Sequence, residues 1–164
     1  MTLVGGRWLV VVSFMLAMVF SVMRFPTAVP GWFVSLGPEW MVMVLFFWAV
    51  QAPERVGVIV AWLMGFPMDV MLGEPLGLNG ACYAGVIFLG WSLYERIRMF
   101  SSLQQAAVLF VLLFVIGLVK VTAGSFIDGT EWSFVFVVPT ISTTLLWFPV
   151  SRFLCAITTR YNLE

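Results

Sequence analysis

The sequence predicts an all-α integral membrane protein: six transmembrane helices in a single polytopic domain over residues 1–164, with both termini in the cytoplasm. Three observations predict it. Apolar residues make up 62% of the chain and charged residues only 10%, with a mean hydropathy of +1.08. A soluble domain carries roughly 25% charged residues because it must cover its surface, and this chain cannot. Apolar stretches of near-bilayer length then recur between charged or Pro/Gly-rich breaks. Finally, the basic residues gather on one side once the crossings are counted.

A hydrocarbon core about 30 Å thick takes about 20 apolar residues, with a range near 17–25. Trp8 to Met23 is the first span, bracketed by Arg7 and Arg24. The apolar run from Met1 to Ser21 lacks a small-residue cleavage site, so it is expected to stay as a helix. Phe25 to Gly37 is too broken by Pro26, Pro30 and Gly31 to cross and reads as a loop. Trp40 to Ala52 is the second span, between Pro38-Glu39 and Pro53-Glu54-Arg55. It is short, so tilt, bilayer thinning or its flanks must help.

Val56 to Leu72 is the third span and carries Asp69; Gly73 to Gly80 follows as a turn-rich loop. Ala81 to Tyr94 is the fourth, closed by Glu95-Arg96-Ile97-Arg98. Leu103 to Ile127 is the fifth, with Lys120 inside it, and Asp128-Gly129-Thr130-Glu131 breaks the chain after it. Ser133 to Val150 is the sixth, with Pro139 inside it and a short tail from Ser151 to Glu164.

With the N-terminus inside, Arg7, Arg55, Arg96, Arg98, Arg152 and Arg160 fall on the cytoplasmic side, and only Arg24 falls outside. That is the bias of the positive-inside rule, which five crossings would break. Trp32, Trp40 and Trp132 then lie near the outer interface, and Trp8 and Trp91 near the inner one. Trp62 and Trp147 lie deeper, as packing bulk.

Several chemistries are excluded. Net charge is zero, with eight basic and eight acidic residues, whereas nucleic acid is gripped by surplus Lys and Arg. The chain has no His, the commonest general base and transition-metal ligand. Cys82 and Cys155 fall at opposite faces of the membrane and form no CxxC pair. Gly73 to Gly80 lacks the Lys of a phosphate-binding loop. Asp69 is the only carboxylate within a span, where two-carboxylate chemistry needs a second. No catalytic residue, cofactor or metal ligand set emerges, and an enzyme is not expected.

Asp69 is the most conspicuous residue, because a carboxylate at a helix centre costs roughly 2.5–3.5 kcal/mol on the insertion scale. It lies roughly 20 Å up the third span, and Lys120 roughly 25 Å up the fifth, at about 1.5 Å per residue. An Asp69–Lys120 ion pair would tie the two helices together. Alternatively, Asp69 caps the outer loop around Gly73 while Lys120 snorkels outward; a proton-relay or transport role is a third reading. Small residues permit close helix approach in lipid, which marks Gly57, Gly65, Gly85, Gly90 and Gly117. Pro67 should bend its span or loosen a backbone bond.

In order along the chain, Gly37-Pro38-Glu39-Trp40, Pro53-Glu54-Arg55-Val56-Gly57, Gly65 through Asp69, then Gly73, Leu76 and Gly77, and Glu95 to Arg98 with Gln104-Gln105 form a set. With this set over nearly its whole length, the chain resembles the MreD family of the bacterial rod-shape machinery, the elongasome. The resemblance implies residence in the inner membrane and no enzymatic activity. It implies MreC as direct partner, and a link between MreB filaments and the lateral-wall glycosyltransferase and transpeptidase that build peptidoglycan. It also implies a six-helix architecture similar to the substrate-binding subunits of energy-coupling-factor vitamin transporters. The expected role is a scaffold whose interaction candidates are Pro38, Trp40, Pro53, Arg55, Gly57, Gly65, Pro67, Asp69, Gly73, Gly77 and Lys120. The alternative is a small-molecule-binding subunit of a transporter, with Asn79, Thr122 and Ser125 as further polar lining. A homo-oligomer is compatible with small residues on several helices, although no GxxxG stripe names a face.

Overall fold

The computed structural model is all-helical and describes residues 7–23, 37–127, 129 and 132–160. Arg24, Trp32, Asp128, Glu131 and most of the broken stretch from Phe25 to Gly37 lie outside the described residues, as do the side chains of Arg7 and Arg160. Among the described residues there are six α-helices: α1 (Arg7–Val22), α2 (Trp40–Gln51), α3 (Val58–Leu72), α4 (Leu78–Arg98), α5 (Ser102–Ile127) and α6 (Val137–Arg160). Short 3-10 turns, Pro53–Arg55 and Phe134–Phe136, precede α3 and α6. Two stretches, Ser102–Ile127 and Phe134–Thr159, are long and apolar enough to cross a bilayer by length and composition.

The shortest of these helices is the core. Every residue of α2 from Met41 to Val50 is buried, as expected of a helix that is apolar all round. It is enclosed by α1, α4, α5 and α6. On α1 the buried side chains are Val10, Phe14 and Ala17, at helical spacing, while Met15, Leu16 and Val19 point outward. The indole N–H of Trp48 donates to Ser13 Oγ at 2.8 Å, a polar tie between α1 and α2. Trp147 of α6 packs its ring edge-on to Phe46, with centroids 5.1 Å apart.

Close approach explains three of the glycines. A Cβ at Gly65 would overlap the backbone of Gly80, so α3 and α4 touch backbone to backbone. At Gly90 it would meet Ala49 of α2, and at Gly117 the ring of Phe136. These three pack the bundle itself. Gly57 and Gly85 have open space where a side chain would be.

Three sequence expectations are corrected. Helix α4 begins at Leu78 and ends at Arg98, so Asn79, Gly80 and the charged Glu95 to Arg98 belong to it. The loop is shorter than the expected Gly73 to Gly80 because Gly77, at φ 92°, turns the chain straight into α4. Arg96 and Arg98 sit in the last turn, where cations favour the helix dipole. Helix α6 passes Val150 and Pro149 and runs to Arg160. Its polar end is supported by hydroxyls bonding back along the helix, Ser151 to Phe148 O and Thr158 to Cys155 O. Trp62 is 43% exposed, with its ring edge-on to Phe66, so it lies on the bundle surface and is not packing bulk; Trp147 is buried.

Consecutive helices run antiparallel, so the bundle has two ends. One carries Arg55, Arg96, Arg98 and Arg152; the other carries Glu39, Asp69, Glu74 and Lys120.

Candidate functional site

The acidic end holds a connected polar network. Its base is the tip of α3. Pro67 lies inside that helix and has no N–H to offer the carbonyl one turn back. Gly73 ends the helix in the left-handed region, at φ 70°. The N–H groups of Gly73 and Glu74 both reach the backbone carbonyl of Asp69.

The Asp69 side chain is 0% exposed and faces the start of α4. Its Oδ2 accepts from the Gly77 N–H at 2.6 Å. Its Oδ1 accepts from the backbone N–H and the side-chain Nδ2 of Asn79, each at 2.9 Å. Three N–H donors on one buried carboxylate are charge-assisted and satisfy it without a counter-ion. They also serve two of the orphan donors that open any helix. Asn79 Nδ2 donates again to Glu74 Oε2, at 2.7 Å.

Lys120 rises from α5 into the same end. Its Nζ lies 3.5 Å from Glu39 Oε1 and 3.5 Å from Glu74 Oε1, with 16% of its side chain exposed. Of the readings the sequence offered, the Asp69–Lys120 ion pair does not form: Asp69 caps the loop, and Lys120, instead of snorkelling outward, joins two other carboxylates. Geometry gives the reason. The loop turns so tightly at Gly77 that backbone N–H groups occupy both Asp69 oxygens, and Glu74 stands between Asp69 and the ammonium. The Glu39 backbone N–H donates to Thr143 Oγ1 at 2.9 Å, bringing α6 into the network. α2, α5, α6 and the α3–α4 loop thus meet at one place.

Asn79 stood beside these two charges in the sequence reading as polar lining, whereas Glu39, Glu74 and Thr143 were not singled out as their partners. The signal for Glu74 was its position in a glycine-framed loop within reach of an intramembrane lysine. Glu39 is 81 residues from Lys120, and nothing local announces that pairing. Two buried polar atoms here have no hydrogen-bond partner, Asn79 Oδ1 and Tyr83 Oη. Among the described residues, no group of three or more Cys, Asp or Glu is placed to hold a metal ion. The expected further lining is dispersed. Asn79 is part of the network, Thr122 bonds its own helix at Leu118 O, and the Ser125 hydroxyl meets no hydrogen-bond partner among the described residues.

The other candidates serve as joints. Gly57 is the N-cap of α3 in extended conformation, and the Pro38 carbonyl accepts from the Trp40 N–H at 3.0 Å. The Trp40 ring meets Phe20 of α1, at 5.5 Å. The Pro53 carbonyl accepts from the Trp91 indole at 2.8 Å, tying the α2–α3 turn to α4. Arg55 Nε lies 4.0 Å from Glu54, at the basic end.

Comparison with known proteins adds the family. No solved structure matches the chain, so a likeness to vitamin-transporter subunits rests on the resemblance alone. The rod shape-determining protein MreD of Haemophilus influenzae is 25% identical over 146 residues, covering 79% of this chain and 88% of that protein. A family model described as rod shape-determining protein MreD matches residues 4–157. The match takes in the whole network around Asp69 and all but the end of α6, and the chain belongs to the MreD family, membrane proteins of cell-shape determination that catalyse no reaction.

Proposed function

We propose that this protein is a scaffold of the cell-elongation machinery in the bacterial inner membrane, crossing it six times with both termini in the cytoplasm. In this reading it binds MreC directly. Through that complex it helps keep MreB filaments and the glycosyltransferase and transpeptidase of lateral peptidoglycan synthesis in register. Family membership supports the setting, and the collection of Arg55, Arg96, Arg98 and Arg152 at one end supports the orientation.

One observation supports binding of a single-helix partner. Between α4 and α5 lies an apolar groove of about 380 Å³, walled by Leu89, Leu93, Ile97, Val108 and Val111. Leu89, Leu93 and Val111 are exposed although apolar. Gly85 lies one turn above Leu89 on the same face of α4, with nothing where its Cβ would be. In lipid no hydrophobic force drives helices together, so association relies on shape and close backbone approach. A groove continued by a glycine one turn beyond its end fits that requirement.

The test is co-purification of the tagged protein with MreC in mild detergent. Gly85→Leu and Leu93→Trp should each reduce recovered MreC at least tenfold, whereas Val70→Trp, on the exposed face of α3, should not. Undiminished recovery with both groove variants would remove the groove from the reading. Absence of MreC from the unsubstituted protein would remove the scaffold itself.

A further inference from the structure

The basic end contains a second site, unrelated to the network at Glu39. Where α2 ends, it, α5 and α6 part to leave a cavity of about 230 Å³. Its floor is Phe47 and Trp147, and its rim is Gln51, Ser102, Ser151 and Arg152. We propose that this cavity binds the phosphate headgroup of an anionic phospholipid.

The chemistry of the lining argues for an anion. The rim offers a guanidinium, an amide and two hydroxyls, and no carboxylate lines the cavity. Arg152 is exposed, and among the described residues no acid lies within ion-pair distance of it. The first turn of α5 begins at Ser102, so the positive end of its dipole adds to the rim. Below the rim, Trp147 is 1% exposed and its indole N–H has no hydrogen-bond partner. Buried donors in folded proteins are nearly always satisfied, by protein or by something bound. Trp147 lines this cavity, and an acceptor oxygen that reached the indole from it would serve that N–H.

The surroundings argue for a lipid over a free ion. Leu103 and Phe153, next in sequence to Ser102 and Arg152, are 71% and 66% exposed. They offer exposed apolar surface at the same level of α5 and α6, which suits an acyl chain and not a hydrated phosphate. A zwitterionic headgroup would bring a quaternary amine to a rim with no carboxylate to receive it. Basic pockets between membrane helices are a recurrent way of holding anionic headgroups.

The test uses the full chain purified in nonionic detergent. Native mass spectrometry would follow titrations with phosphatidylglycerol, phosphatidylcholine and inorganic phosphate. Phosphatidylglycerol should bind at least tenfold more tightly than phosphatidylcholine. Arg152→Gln should abolish that preference, while Arg98→Gln, on the same end but outside the cavity, should keep it. Cys155 lines the cavity and is exposed, whereas Cys82 is buried. Bound phosphatidylglycerol should therefore slow alkylation of Cys155 several-fold. Equal binding of the two lipids, or equal losses from Arg152→Gln and Arg98→Gln, would overturn the site. Competition by inorganic phosphate at the same affinity would overturn the lipid and leave a soluble phosphate in its place.

Discussion

Asn79 meets Asp69 twice on a single oxygen: its backbone N–H and its side-chain Nδ2 each lie 2.9 Å from Oδ1. Asp69→Asn would leave one acceptor oxygen for three donors and turn an amide toward the N–H of Gly77. Hydrogen bonds to charged groups contribute about 1.5–3 kcal/mol, and an unsatisfied buried donor costs about 1–3 kcal/mol. The substitution should lower stability by about 2–4 kcal/mol on those figures, measured by equilibrium unfolding in detergent. A loss indistinguishable from zero would contradict the capping geometry.

Lys120 should be coupled to Glu39 and Glu74, and not directly to Asp69. Double-mutant cycles pairing Lys120→Met with Glu39→Gln or Glu74→Gln should give interaction energies of about 0.5–3 kcal/mol. The cycle with Asp69→Asn should give less than either. Stronger coupling of Lys120 to Asp69 than to the two glutamates would place the ion pair where the structure does not.

The glycines of α3 and α4 divide sharply. Gly65→Ala forces a methyl into the Gly80 backbone, which cannot rotate aside. It should destabilise by at least the roughly 1–3 kcal/mol typical of overpacking. Gly85→Ala enters open space, and should stay within about 0.5 kcal/mol of the parent, as benign surface changes do. The pair is best compared side by side by thermal unfolding in the same detergent.

Orientation can be read from cysteines placed in a background of Cys155→Ser. In whole cells with permeable outer membranes, a membrane-impermeant maleimide should label Trp132→Cys. Glu95→Cys should react only after the inner membrane is opened. Reversal of that order would reverse the topology proposed here.

Six helices were legible because charge and breakers punctuate the sequence: Pro53-Glu54-Arg55 and Glu95-Arg96-Ile97-Arg98 stand between apolar runs. That Asp69 needed partners was legible too, since a carboxylate in an apolar run cannot stand alone. Its partners were less so. Asn79 reads as loop among its glycines, and only the turn at Gly77 shows that it opens α4 and aims back at α3. The enclosure of α2 was hidden for a different reason. Lipid tails are as apolar as leucine, so Met41 to Val50 would read alike facing lipid or facing protein. The extension of α6 was missed because Arg152 and the hydroxyl-rich residues after it look like a tail until their bonds to carbonyls one turn back are seen.

The shortness of α2 has an electrical consequence. Its 12 residues span about 18 Å, with Glu39 and the Lys120 network at one end and the Gln51–Arg152 cavity at the other. In the six-span topology proposed above, that leaves about 18 Å of apolar core between the two polar ends, little more than half the roughly 30 Å of hydrocarbon around it. If water reached both ends, a transmembrane voltage would fall over that shorter distance, and the field there would be about 1.7 times as steep as in the surrounding lipid, the ratio of the two lengths. Lys120 and its two carboxylates would then stand at one lip of the drop, where a small shift of the ammonium along the bundle axis does more electrical work than the same shift through lipid.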